Sequence, residues 1–177
     1  QDDADPEEIA RCLNLTFQNE GLLVRALTHR SYFNEHPGMV EDNERLEFLG
    51  DAILDAVIAE LLFKRYPFKD EGFLTEMRTR IVNRDHMGMM AQRLGIADVM
   101  EMRPELQKNF SALKTIAGNA LEALIGAIYL DGGFQPAKSV IERLFSMEIQ
   151  SLKTPGKVLD YKTELQELVQ SLLKQTP

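Results

Sequence analysis

The chain has 177 residues, a formal net charge of −8 and one cysteine, and 44% of its residues are hydrophobic. These values predict one globular domain and exclude a disordered chain, and the lone Cys12 excludes an internal disulfide, which favours a reducing cytoplasm. No apolar run approaches the roughly 20 residues that span a bilayer and no export signal is visible, so we expect no membrane partner. The acidic net charge argues mildly against a nucleic-acid partner that is bound by the charge of the whole molecule.

Helical periodicity dominates the chain and no segment alternates as a strand does, so we predict an all-α, multi-helix fold. Asn19 is the expected N-cap of the second helix, and Gly95 is expected to end the fourth. Residues 96–113 should be less regular, with one or two short helical turns. We assign residues 1–152 to one domain, 153–158 to a linker and 159–177 to a terminal helix. In chain order, the predicted helices cover residues 7–13, 19–31, 43–65, 73–94, 115–130, 137–150 and 161–174.

The segment Asn43–Leu54 carries three carboxylates on one helical face. Glu44, Glu47 and Asp51 stand at offsets of three and seven residues. Like charges at such spacings destabilise a helix by roughly a few tenths of a kcal/mol per pair. An arrangement of this kind is typical of a site that binds a cation.

A second pair of oxygen donors lies on the most apolar predicted helix, where Asn119 and Glu122 are three residues apart. If this helix crosses the one that carries Glu47 and Asp51, four oxygen-bearing side chains meet. Oxygen donors fit Mg²⁺ or Mn²⁺, whereas the cysteine and the three histidines show no zinc-ligand spacing. Such a site activates a water and neutralises charge on a phosphodiester.

Structural interpretations of the same residues stay open at this point. Paired acids often mark a solvated helix face, and Asn119 with Glu122 has the spacing of a helix N-cap and its return partner, although Ser111 or Thr115 could cap that helix instead. His29 lies in a polar cluster that ends a predicted helix, and such clusters more often bond backbone than act in catalysis.

Several segments resemble one enzyme family. Asn43–Leu54, with the sequence N-E-R-L-E-F-L-G-D-A-I-L, resembles the signature segment of ribonuclease III endonucleases, and Gly118–Asp131 resembles that family's other catalytic segment. Leu27–Tyr32, L-T-H-R-S-Y, is a third match. Residues 70–72 fall where the family has an acidic loop, and the resemblance covers about residues 7–152.

The resemblance implies a ribonuclease III-type endonuclease domain that homodimerises and holds double-stranded RNA in a shared valley. Divalent-metal-dependent hydrolysis, with Mg²⁺ or with Mn²⁺ in its place, would leave 5'-phosphate and 3'-hydroxyl ends with short 3' overhangs, in RNA processing. Leu46, Phe48, Leu49 and Ile53 are then divided between the core and the dimer interface, since one helix cannot turn its acids and all of these residues towards one core.

Carried over by position, Glu47, Asp51 and Glu122 match the family's metal-binding and catalytic acids, and Asn119 occupies the place of the remaining aspartate. Asparagine offers a neutral carbonyl oxygen, so we expect a weaker hold on the metal but retained activity. Glu44 and Glu71 match two further acidic positions of the family.

Two basic residues are candidate RNA contacts, namely Lys114 and Arg78, although Arg78 could equally lie on a solvated face or meet acids at the dimer interface. Residues 160–173 resemble the opening helix of the double-stranded RNA-binding domain that often follows in this family. Only the beginning of that domain is present, so we expect weak, salt-sensitive RNA binding.

Two other functions compete with the endonuclease. One is a catalytically weakened or silent member of the fold that binds RNA or serves as a structural protein of a ribonucleoprotein. The other is a metal-dependent hydrolase of a different phosphate ester. Because only one of the four oxygen donors departs from the family pattern, we favour the endonuclease.

Overall fold

The computed structural model describes residues 5–36, 38 and 41–151. Within these residues the fold is all-α and contains no strand, as predicted, apart from one isolated bridge between Thr28 and Glu101. The predicted linker and terminal helix lie outside the described residues. The helices are α1 Pro6–Cys12, α2 Glu20–Ala26, α3 Arg30–Glu35, α4 Glu44–Arg65, α5 Glu71–Ile81, α6 Arg84–Arg93, α7 Ile96–Val99, α8 Pro104–Gln107, α9 Phe110–Gly132, α10 Phe134–Leu144 and α11 Ser146–Ser151.

Helix α9 is the centre of the fold and packs against α4, α6, α10 and α2. Its residues from Ala117 to Ile128 are almost all buried, which confirms the predicted central position. By length and composition α9 could cross a membrane. From the sequence, no segment long enough to do so is expected. The difference arises because α9 begins at Phe110 rather than at Thr115 and is therefore longer than the predicted helix. Its packing on four other helices is that of a core helix.

Three predicted helices are each divided in two, and at two of the three breaks a polar side chain caps the new helix. The predicted helix 19–31 breaks after Ala26, and the His29 side chain accepts a hydrogen bond from the Ser31 backbone to start α3. The predicted helix 73–94 breaks at Asn83, which caps α6. The predicted helix 137–150 is likewise interrupted at Phe145. Hydrophobic periodicity continues across such breaks, so it does not reveal them.

The crossing of α4 and α9 is close because glycines lie at the contact. A Cβ atom on Gly50 would lie 1.7 Å from the carbonyl oxygen of Glu122, and one on Gly126 would lie 2.3 Å from that of Leu46. Only glycine permits backbones to approach this closely. The two glycines therefore set the distance between the helices that carry the predicted oxygen donors.

Candidate active site

Five of the predicted acidic and amide residues line one open pocket beside the α4–α9 crossing. The pocket has a volume of about 450 Å³. Helix α4 places three of its residues on one face through their three- and four-residue spacing, and α9 contributes the other two across the glycine contact. The pocket is lined by Glu44, Glu47, Phe48, Asp51, Asn119 and Glu122.

Asn119 lies well inside α9, so it is not the helix cap that its spacing to Glu122 allowed. The cap is Asn109, whose side chain accepts a hydrogen bond from the Ala112 backbone, and not Ser111 or Thr115. Instead, Asn119 lines the pocket together with the acids of α4, and its amide partly offsets the rise in the pKa of Glu47 that burial and the charge of Glu44 cause. Asn119 therefore adds an oxygen donor from α9 to the acids that α4 places in the pocket.

Burial and mutual repulsion raise the pKa values of three pocket carboxylates. Burial and the charges of Asp51 and Glu47 raise the pKa of Glu122 to about 7. Burial, followed by the charge of Glu44, raises the pKa of Glu47 above its ordinary value, and burial and Asp55 raise that of Asp51. Perturbed carboxylates gathered in one cleft are typical of functional sites.

The donor set fits a hard divalent cation, because Mg²⁺ takes carboxylate and amide oxygens and would relieve the repulsion that raises these pKa values. Among the described residues, no three Asp, Glu, His or Cys side chains are arranged so that they could together hold an ion. Glu47, Asp51 and Glu122 surround one pocket rather than a single point. A cation would have to draw their carboxylates inward.

Two arginines pair with carboxylates at the two ends of the acidic face of α4. Arg30 Nη1 donates to Glu44 Oε2 at 2.5 Å, and Arg78 Nη1 lies 3.6 Å from Asp55 Oδ2. Asp55 extends the predicted acidic face by one turn and was missed, although its spacing of four residues from Asp51 could have revealed it. Arg78 also offsets part of the rise in the pKa of Asp51 that burial and Asp55 cause, so it lies near the pocket without lining it.

Two further predicted site residues do not line this pocket. The carboxylate of Glu71, the first residue of α5, accepts a hydrogen bond from the Thr75 hydroxyl, and both residues line a separate groove between α4 and α5. Lys114 pairs with Asp85 at 3.0 Å and faces a cavity between α6, α7 and α9. Lys114 therefore contacts α6, and its predicted RNA contact stays a prediction.

As the sequence predicted, the apolar residues of α4 do not all face the core, while their contact with a second copy stays a prediction. Leu46 is buried at 2% exposure and belongs to the core, and Ile53 packs partly against it. Phe48, by contrast, is 81% exposed at the edge of the pocket. Phe48 is therefore free of the core and available for contact with another molecule.

Comparison with known proteins identifies the family. A family model described as Ribonuclease-III-like matches residues 19–149, which include every residue of the pocket. The chain belongs to the ribonuclease III family. The matched region confirms the resemblance predicted from residues 43–54 and 118–131.

Relatives within the ribonuclease III family are similar over almost the whole chain. The ribonuclease 3 of Bdellovibrio bacteriovorus is 41% identical over 163 residues, covering 91% of this chain and 70% of the relative. That of Wolinella succinogenes is 40% identical over 172 residues, covering 97% of this chain and 70% of the relative.

Solved structures agree with the family. The nuclease domain of ribonuclease III from Campylobacter jejuni matches with a TM-score of 0.73 and 37% sequence identity. The match covers 81% of this chain and 97% of that domain, whose description refers to structural flexibility in a region involved in dimer formation. Dicer from Pichia stipitis has a TM-score of 0.60 at 21% identity, covering 82% of this chain and 64% of its own, and shares the fold.

Proposed function

We propose that the pocket between α4 and α9 is the hydrolytic site of a double-stranded-RNA endonuclease that depends on a divalent metal ion. As a member of the ribonuclease III family, the chain is a hydrolase of the endonuclease type that acts on double-stranded RNA in RNA processing. The observation that carries the assignment of the site is the meeting of Glu47, Asp51, Asn119 and Glu122 around one pocket.

Each pocket residue has a distinct role in this proposal. Glu47, Asp51 and Glu122 supply the negative charge that holds Mg²⁺, or Mn²⁺ in its place, and Asn119 supplies a neutral oxygen. The bound cation would activate a water and neutralise charge on the phosphodiester under attack. Among the acids of the pocket, Glu122 is the most buried and has the largest rise in pKa, to about 7. We therefore expect its loss to reduce cleavage most.

The proposed products are those that the family resemblance implies for two copies acting together. Each copy cuts one strand of the duplex, leaving 5'-phosphate and 3'-hydroxyl ends with short 3' overhangs. We propose a homodimer in which Phe48, exposed beside the pocket, is covered by the second copy. The Campylobacter jejuni nuclease domain, whose description refers to dimer formation, supports this arrangement.

A cytoplasmic location completes the proposal. Cys12 is a free, exposed thiol, which suits a reducing compartment. The expectation of no membrane partner is supported by the burial of α9, the one described helix apolar enough to span a bilayer.

A cleavage assay tests the proposed site. A labelled RNA hairpin is incubated with the protein in Mg²⁺ or in chelator, beside Glu122→Ala and a single-stranded RNA of the same length. We expect cutting of the duplex only in Mg²⁺ and none by Glu122→Ala. Cutting that survives in Glu122→Ala would overturn the assignment of the pocket, and a folded protein that binds the hairpin without cutting it would favour the silent, RNA-binding alternative.

A further inference from the structure

The segment Leu27–Tyr32 has no role in the proposed site, although it is one of the three motifs that carry the family resemblance. We propose that this segment holds Arg30 at the rim of the acidic pocket, where the Arg30 guanidinium contacts a phosphate of the RNA backbone. The inference rests on the proposed function and adds a substrate-positioning residue to it.

The Arg30 side chain is tied to the pocket by one ion pair. Its Nη1 atom donates to Glu44, and Glu44 lines the pocket. The Arg30 side chain is still 58% exposed. A guanidinium carries five N–H donors, so the bond to Glu44 orients the group while leaving donors for a phosphate.

Backbone hydrogen bonds attach the start of α3 to two other parts of the fold. The His29 N–H donates to the Glu101 carbonyl at 2.9 Å, and the Glu101 N–H donates to the Leu27 carbonyl at 3.0 Å. On the other side, the Asn43 N–H donates to the Thr28 carbonyl at 3.0 Å. The backbone before Arg30 is therefore joined directly to the residue that precedes α4.

Side chains of the same segment complete this support. The Ser31 hydroxyl accepts a hydrogen bond from the Arg103 backbone and contacts the His29 ring. The buried Asn43 side chain donates to the Ala26 carbonyl. Buried polar groups with satisfied partners fix one conformation, because leaving any of them unpaired would cost free energy. These hydrogen bonds thus fix the position of the Arg30 backbone, from which its side chain extends to Glu44.

The charge of the pocket explains why a cation at its rim is useful. Four carboxylates line the pocket, so even with one divalent cation bound the pocket keeps a net negative charge that repels an approaching phosphodiester. Along the acidic face of α4, the outer residues Glu44 and Asp55 are paired with Arg30 and Arg78, whereas the inner acids have no arginine partner among the described residues. Positive charge thus flanks the acids without neutralising the centre.

Binding measurements test the proposal separately from catalysis. The affinity for a labelled RNA duplex is measured by fluorescence anisotropy as a function of salt, in a Glu122→Gln background that we expect not to cleave. The variants are Arg30→Gln, Arg30→Lys and the control Arg11→Gln. Arg11 is a matched control because it forms an ion pair of similar exposure far from the pocket residues in sequence. The side chains of Arg11 and Asp5 are 62% and 49% exposed, and those of Arg30 and Glu44 are 58% and 51% exposed.

We expect Arg30→Gln to weaken binding about fivefold at low salt and to reduce the slope of log Kd against log salt by about one. Arg30→Lys should keep the slope, and Arg11→Gln should change neither value. An unchanged slope in folded Arg30→Gln overturns the proposal, with Arg30→Ala as a second variant if Arg30→Gln does not fold.

A double-mutant cycle separates a phosphate contact from simple neutralisation of Glu44. If Arg30 only neutralises that acid, the loss caused by Arg30→Gln disappears when Glu44→Gln is also present, and this overturns the proposal. If Arg30 contacts the phosphate, the loss persists in both backgrounds. Failure of the proposed function would show differently, as cleavage that continues in Glu122→Gln.

Discussion

The Cα atom of Gly50 lies against the backbone carbonyl of Glu122, so closely that a Cβ atom on residue 50 would lie 1.7 Å from the carbonyl oxygen. This contact joins the two helices at the level of the acidic pocket. Glu47 lies three residues before Gly50 and Asp51 directly follows it, and both line the same pocket as Glu122. Helix packing and the composition of the site thus depend on one glycine.

We predict that Gly50→Ala separates the two helices and destabilises the fold by about 2–3 kcal/mol, because the added methyl group overlaps backbone that cannot move aside. Thermal unfolding measures the loss. Gly72→Ala is the matched control, since its nearest neighbour is a side-chain atom at 3.6 Å and the change should be neutral or stabilising. Equal stability of Gly50→Ala and the wild type would contradict the close crossing.

Glu122 should make stability depend on pH. In the folded state its pKa is about 7, against an ordinary value of 4.5, so folding takes up a proton between these two values. Stability therefore falls as pH rises from about 4.5 to about 7 and does not change further through this group. After allowance for partial exposure and screening, we expect Glu122→Gln to be more stable than the wild type by about 1 kcal/mol at pH 8 and equal to it at pH 4.

The measurement for this prediction is thermal unfolding across pH in chelator. Glu105→Gln, which removes an exposed carboxylate on α8, controls for the loss of one negative charge. A gain of stability in Glu122→Gln that is the same at pH 4 and pH 8 would contradict the link to titration.

Cation binding should show the opposite dependence on pH. Only the ionised form of Glu122 can hold a cation, so the rise in unfolding temperature caused by Mg²⁺ should be larger at pH 8 than at pH 6. Differential scanning fluorimetry with Mg²⁺ and with Mn²⁺ measures this rise, and K⁺ at equal ionic strength is the control. The same rise at both pH values would argue against Glu122 as a ligand.

Asn119→Asp should lower the Mg²⁺ concentration needed for half-maximal cleavage, on the order of fivefold, because it adds a negative charge to the pocket. The new carboxylate also lies in the same pocket as Glu47, so its like charge should raise the pKa of Glu47 further. A Mg²⁺ titration of cleavage compares the two proteins. If neither cuts duplex RNA at any metal concentration, the catalytic assignment of this pocket fails.

Phe48→Glu should dissociate the proposed homodimer, because it places a charge where an exposed aromatic ring would be covered. Light scattering at micromolar protein measures the oligomeric state. Phe110→Glu, at a position that is 68% exposed at the start of α9, is the control and should remain dimeric. A wild-type monomer under these conditions would count against the shared RNA-binding valley.

Sequence reasoning was most accurate where one helix carries its own pattern. The acidic face of α4 and its apolar core positions follow from spacing alone, because helical periodicity decides which residues share a face. It was least accurate at the breaks after Ala26 and at Asn83. There, the hydrophobic pattern continues while capping side chains and distant hydrogen bonds, such as that between His29 and Glu101, end one helix and begin another.

The sequence by itself determined the all-helical fold, the family and the four oxygen donors Glu47, Asp51, Asn119 and Glu122, since residue type and spacing are local properties. Only the tertiary structure decided that Asn119 shares one pocket with Glu47 and Asp51, that Lys114 faces α6 and that Arg30 pairs with Glu44. Each of these depends on which helices lie in contact, and that is decided by the glycine contacts and core packing between residues far apart in the chain.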